Sequence, residues 1–220
     1  MLAINTAFMT ANLALSANGM MFVRDIDAKS KHSENVLKTI DDLCNDAKID
    51  IIDIDTLSVV LGPGSFTGLR IGTAIAKALG SVKKDLKFVG VSSLELMAYI
   101  IVKNKLNKGS DFVCVLNALS DLFFVCKFNS KGIKIGDERM IDKAEFGALN
   151  MPIFALKDDM PKYELDEIET SSLDLLEFSE KKANNGDFCR LEEIVPSYLR
   201  ASQAEDNLKN IKKDNKISWL

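Results

Sequence analysis

Residues 62–80, GPGSFTGLRIGTAIAKALG, constrain this chain more than any other stretch. They follow Leu57-Ser58-Val59-Val60-Leu61, a β-branched apolar run with the length and composition of a buried strand. A glycine-rich loop, Gly62-Pro63-Gly64-Ser65-Phe66, comes next. A segment of helical period then begins, with Ser65 or Thr67 available as its N-cap. Between Thr67 and Val82 the only charges are Arg70 and Lys77. A helix that is apolar or small nearly all round is buried nearly all round. Ile71, Ala74, Ile75, Ala78, Leu79 and Val82 are expected to face the sheet. Leu69, Thr73, Ala76 and Gly80, with Gly72 at the edge, then form the opposite face. Gly72 inside a helix costs roughly 0.8–1 kcal/mol relative to alanine. Close approach by another helix is the expected compensation, and that helix belongs either to the same chain or to a partner.

Three chemistries compete for the loop. A P-loop needs GxxxxGK followed by Ser or Thr, but Leu69-Arg70 stand where those residues should be. A dinucleotide fingerprint needs GxGxxG; Gly62 and Gly64 fit, and Thr67 takes the third glycine position. No acidic residue ends the next strand, Phe88-Val89-Gly90-Val91-Ser92. The third reading is structural, with residues Gly62 to Gly68 forming a tight turn that launches the close-packed helix. Phosphate binding stays open beside it.

The rest of the chain sets this unit in a larger order. Leu2–Thr6, Asn12–Ala17 and Met20–Ile26 read as strands, the last two joined by Asn18-Gly19, a strong two-residue hairpin signal. A helix capped by Ser33 runs to about Asp46, with Val36, Leu37, Ile40, Leu43, Cys44 and Ala47 as its stripe. After the Leu57–Leu61 strand and the small-residue helix come a strand at Lys87–Val91 and a third helix to about Val102. Ser92 and Glu95 form a capping box for that helix. The order βββαβαβα is the ribonuclease H-like arrangement, shared by nucleases and by phosphotransferases of the actin and sugar-kinase group. Their metal-held phosphate chemistry runs on carboxylates. Here the first strand presents Asn5, and the fourth ends in Gly62. The scaffold is expected and the catalytic acids are missing.

A polar stretch, Lys103–Asp111, reads as a linker, and a second pass begins after it. Strands are expected at Asp111–Asn117, Leu122–Phe128, Ile133–Ile141 and Pro152–Leu156, with helices over Lys143–Leu149 and Ser171–Ala183. This partly repeats the first lobe, with Asn117 roughly where Asn5 stood. The fold class is therefore α/β, with two tandem ribonuclease H-like lobes of the actin-like ATPase kind, the second degenerate. The lobes are expected at 1–104 and 110–200, with 201–220 as a polar tail that frays or anchors through Trp219.

Composition excludes several function classes. With a net charge of −4 there is no basic field for nucleic acid. No apolar stretch approaches the roughly 20 residues of a membrane span. Cys44, Cys114, Cys126 and Cys189 have no CxxC spacing and no signal peptide precedes them, so they are expected as buried, reduced thiols of the cytoplasm. One histidine, His32, provides no metal pair, and no GxSxG is present. No metal, cofactor or catalytic residue is expected.

Four segments carry a family resemblance. GPGSFTGLRIG…A.AK.LG resembles the signature of TsaB, the non-catalytic subunit of the bacterial tRNA threonylcarbamoyladenosine-forming machinery. Ala3-Ile4-Asn5-Thr6 resembles that family's opening strand, His32-Ser33-Glu34 its HSE segment, and Pro196-Ser197-Tyr198-Leu199-Arg200 its closing PxYLR. The resemblance spans most of the chain and thins between about 130 and 190. It implies a cytoplasmic binding subunit that pairs with a TsaD-like catalytic subunit and a TsaE-like ATPase, and reaches tRNA only through the complex. The docking surface is expected on Leu69, Arg70, Gly72, Thr73, Ala76, Lys77 and Gly80, facing the TsaD-like subunit or a second copy of the chain. The alternatives are a degenerate phosphotransferase that still binds ATP, and a hydrolase using His32 as base.

Overall fold

The computed structural model describes residues 1–27 and 32–199, the side chains of 32–34 excepted. The expectations for the His32 and Ser33 side chains, Arg200, Trp219 and the tail lie outside those residues.

Alternation makes the first strands two-faced. In β1 (Leu2–Asn5), Leu2 and Ile4 point to one side and Ala3 to the other. In β2 (Ala11–Ala17), Leu13 and Leu15 share the first side and Ala14 the second. β3 (Met20–Ile26) follows through Asn18 and Gly19, at φ 53° and 73°, the positive values that a tight hairpin turn requires. β4 (Thr56–Gly62) and β5 (Lys87–Ser92) run parallel to β1, giving the order β3-β2-β1-β4-β5. The large side chains of one face meet α1 (His32–Ala47), through Val36, Ile40, Leu43, Cys44 and Ala47. Leu37, expected in that stripe, is 60% exposed, because it lies next to Val36 and beyond the arc that reaches the sheet. The same side carries α2 (Phe66–Val82).

The second sheet repeats the first. β6 (Phe112–Asn117), β7 (Leu122–Phe128), β8 (Lys134–Asp142), β9 (Ile153–Leu156) and β10 (Asp166–Ile168) stand in the order β8-β7-β6-β9-β10, with the same pattern of antiparallel and parallel pairs. β10 departs from the sequence expectation, since its three residues, Asp-Glu-Ile, carry no strand pattern. A short α4 (Lys143–Gly147) covers the outer face through Phe146. Between β9 and β10, where the first lobe has α2, the chain makes only turns. That missing helix is the degeneracy.

Two helices fill the space between the sheets. α3 (Ser93–Lys103) follows β5, and α5 (Ser172–Asn184) follows β10. Leu94, Met97 and Ile101 of α3 and Leu175 and Leu176 of α5 share one core with Ala3 and Ala14 of the first sheet and Phe112, Cys114 and Cys126 of the second. α5 packs on β1 and β2, so the chain returns to the first sheet after completing the second. Small residues admit it: Ala3 and Ala14 lie beneath, and Ser179 Oγ donates to Ser58 Oγ at 2.7 Å. Ser92 caps α3, accepting from the N–H groups of Leu94 and Glu95. Glu95, expected to complete the box, instead pairs with Lys134 at 3.5 Å and Lys182 at 3.9 Å.

Candidate functional site

The glycine-rich loop is knitted to the end of β1. Ser65 N–H donates to the Ala7 carbonyl at 2.8 Å, and a Cβ on Gly64 would lie 2.6 Å from that same oxygen. Ser65 is the N-cap of α2, accepting from Gly68 N–H at 3.2 Å. Gly68 passes so close to Thr6 that a Cβ would sit 1.7 Å from the Thr6 carbonyl oxygen, while Thr6 Oγ1 donates to the Gly68 carbonyl at 2.6 Å. The glycines are accounted for by close approach of backbone to backbone. Two of the N–H groups that a phosphate cradle would offer, those of Ser65 and Gly68, are already engaged.

The face of α2 expected to look outward is the one that lies closest to the sheet, and of the expected inward stripe Ala74, Ala78 and Val82 face out. Leu69, Gly72, Thr73, Ala76 and Gly80 are buried. A Cβ on Gly72 would meet Thr6 Oγ1 at 2.9 Å and Val59 Cγ1 at 3.3 Å, and one on Gly80 would meet Phe88 Cζ at 2.7 Å. Gly68, Gly72, Ala76 and Gly80, four apart, form the ridge that lets the helix lie close on its own sheet. Those five residues therefore do not form a docking surface, and the compensation for Gly72 comes from the sheet. On the outer side Ala74 and Ala78 are exposed and Val82 is 71% exposed, whereas Ile71, Ile75 and Leu79 are half-buried against the core shared with α1. Of the expected docking residues, Arg70 and Lys77 are exposed. The signal available in the sequence was the four-residue spacing of the small residues.

Two distant motifs meet at the start of this helix. Ser197 N–H donates to the Leu61 carbonyl at 2.7 Å, which lays residues 196–199 along the loop. Tyr198 stacks on Phe66 with centroids 4.7 Å apart. The Arg70 guanidinium lies 4.0 Å above the Phe66 ring, and its Nε donates to the Tyr198 hydroxyl at 3.2 Å.

At the position of the missing acid, Asn5 is fully buried and its amide is committed. Its Nδ2 donates to Asn12 Oδ1 at 2.9 Å, and its Oδ1 accepts from Ala7 N–H at 2.9 Å. Asn12 in turn donates to Asp25 at 2.8 Å, and Asp25 also accepts from the N–H and the hydroxyl of Ser172, at 2.9 and 2.5 Å. In the second lobe, Asn117 N–H donates to Asp159 at 2.8 Å. Burial pushes the Asp159 carboxyl above its ordinary range, against that hydrogen bond. Among the described residues no group of three or more His, Cys, Asp or Glu is placed to hold a metal ion. A cavity of about 450 Å³ opens between the ends of β4 and β5, β8 and the segment 196–199, a strap across the loop, with Ser92, Glu138 and Ser197 in its wall. Ser92 Oγ donates to Glu138, and burial raises the Glu138 carboxyl above its ordinary value.

Comparison with known proteins bears on this arrangement. Residues 26–152 match the family model of TsaD, tRNA N6-adenosine threonylcarbamoyltransferase. The "tRNA threonylcarbamoyladenosine biosynthesis protein TsaB" of Escherichia coli (strain K12) is 35% identical over 97 residues, 44% of this chain and 42% of that protein. The TsaB of Bacillus subtilis (strain 168) is 36% identical over 98 residues, again 44% of this chain and 42% of that one. The chain belongs to this family, on its TsaB branch. It spans about two fifths of the length of both relatives. The solved structure of YeaZ from Pseudomonas aeruginosa superposes with a TM-score of 0.74 at 18% identity, covering 90% of this chain and 98% of that one. Its likeness shows a shared fold. The two chains thus share the α/β architecture of two mixed sheets described above. Among the described residues no helix is long and apolar enough to cross a membrane.

Proposed function

We propose that this chain is a non-catalytic subunit of the cytoplasmic machinery that forms threonylcarbamoyladenosine in tRNA. It docks a TsaD-like catalytic subunit through the outer face of α2, and a TsaE-like ATPase acts on the resulting complex. The same face pairs two copies of the chain when the TsaD-like subunit is absent. Each lobe is built on one of the two sheets, with the division between 104 and 110 and α5 lent back to the first lobe. The observation that supports this reading is the outer face of α2, where Ala74, Ala78 and Val82 are exposed beside Arg70 and Lys77 and no acidic residue occurs. Such a face is an interaction surface when it stands uncovered, as it does among the described residues. Support for a non-catalytic role comes from Asn5, whose amide is consumed inside the protein.

The test is titration of the chain with the TsaD-like subunit of the same organism. Ala74→Arg places a charge in the contact but stays exposed in the free chain. It is expected to weaken docking by about tenfold or more, equivalent to about 1.4 kcal/mol, with an unchanged melting temperature. Normal docking by this variant overturns the reading. The competing reading, a degenerate phosphotransferase, requires ATP and magnesium to bind the isolated chain in the same calorimeter.

A further inference from the structure

The outer face of α2 carries a charge pattern that says what should meet it. Arg70, Ala74, Lys77 and Ala78 stand at i, i+4, i+7 and i+8, all exposed, and no Asp or Glu occurs between Phe66 and Val82. Arg70 differs from an ordinary surface arginine. Its plane rests on the Phe66 ring, its Nε is held by the Tyr198 hydroxyl, and Tyr198 is itself stacked on Phe66. The strap bond from Ser197 to Leu61 fixes Tyr198 in place. Among the described residues, the two terminal nitrogens of Arg70 have no hydrogen-bond acceptor and no carboxylate partner. A guanidinium ordered in this way presents its free edge as a fork matched to two oxygens.

We propose that Arg70 is the anion receptor of the docking face and takes the carboxylate of an Asp or Glu on the partner's surface. Tyr198 is its positioning residue. The inference rests on the docking reading above. A side-chain carboxylate is favoured over nucleic-acid phosphate because the face offers only two cations and the chain has a net charge of −4. Binding a phosphate backbone draws on many cations at once. Arg70 lies one turn before Ala74 on the exposed face, so a partner packed along Ala74 and Ala78 reaches it without a second contact surface. Two motifs far apart in the chain thus act as one device, the closing segment ordering the charge that the loop-helix segment displays.

The experiment is titration calorimetry of the full chain with the TsaD-like subunit at low and high salt, for wild type, Arg70→Gln, Arg70→Lys, Tyr198→Phe and Ala74→Arg. Arg70→Gln is expected to weaken docking by about tenfold and to flatten its salt dependence. Arg70→Lys should recover the salt dependence but not the affinity. Tyr198→Phe keeps the ring stack and loses the hydroxyl, and should weaken docking about threefold with an unchanged melting temperature. If Arg70→Gln docks like wild type while Ala74→Arg does not, the receptor role is overturned and the docking reading stands. If both dock like wild type, both fail. If Arg70→Gln docks normally but the assembled complex loses affinity for tRNA, the receptor takes phosphate and the carboxylate assignment is wrong.

Discussion

Asn5 shows how much one side chain decides. It ends β1, where the ribonuclease H-like arrangement is expected to present an acid, and it sits fully buried with both amide functions engaged. Asn5→Asp would not restore chemistry. The new carboxylate would lose the donor to Asn12 Oδ1 and leave a buried charge without a cation, which costs about 3 kcal/mol or more. The expected outcome is a lower melting temperature and no magnesium-dependent ATP turnover. Turnover by the pure variant would show that the cleft retains a working site. The residue type at this position was plain in the sequence. Its commitment to Asn12, Asn12's to Asp25, and Asp25's to Ser172 depended on strands and a helix brought together from distant parts of the chain.

At the scale of the element, α2 is the instructive case. Its existence and length followed from its period and cap, and Ser65 does cap it. Its orientation did not follow. An amphipathic helix announces its inner face by contrast, and this one has apolar or small residues on both sides. Helical spacing groups the larger aliphatic residues with Ala74 and Ala78 as the inner stripe, whereas the sheet takes the small residues most closely because they permit the shorter helix-to-sheet distance. Ala76→Arg and Ala74→Arg, half a turn apart, separate the two faces. Ala76 is fully buried against the chain's own sheet. Placing arginine there overpacks the contact and buries a charge, at a cost on the order of 4 kcal/mol, read as a large fall in melting temperature. Ala74→Arg should stay within about 0.5 kcal/mol of wild type in stability. Equal melting temperatures for the two variants would mean that the helix is not seated as described.

The whole molecule is held by reciprocal contacts between its halves. Ser92, capping α3 beyond the first sheet, donates to Glu138 on the second. Ser172, at the start of α5 beyond the second sheet, is held by Asp25 on the first. Between the sheets Tyr99 stacks on Phe178 at 5.0 Å, and Lys103 pairs with Asp174 and Glu177. Glu138 makes this assembly sensitive to pH. Burial raises its carboxyl above the ordinary 4.5, so the folded protein holds that proton more tightly than the unfolded chain. Its contribution is therefore full below pH 4.5 and falls as pH rises through the folded value. Glu138→Gln keeps an acceptor for Ser92 and removes the charge. It should flatten this segment of the stability curve and leave the protein at least as stable above it, as denaturant titrations across that range would show. An unchanged curve would place Glu138 in water.

The sequence by itself determined the elements other than β10, the two-lobed order, the missing acids and the family. These depend on period, turn chemistry and residue identity, all local properties of the chain. Only the tertiary structure decided which side of α2 is free, because that choice turns on distance to a sheet and not on polarity. It also decided that Tyr198 meets Phe66 and Arg70, 128 residues away from the latter, and that α5 returns to the first sheet. Such contacts are set by how the two sheets close on their shared core, which no local pattern records.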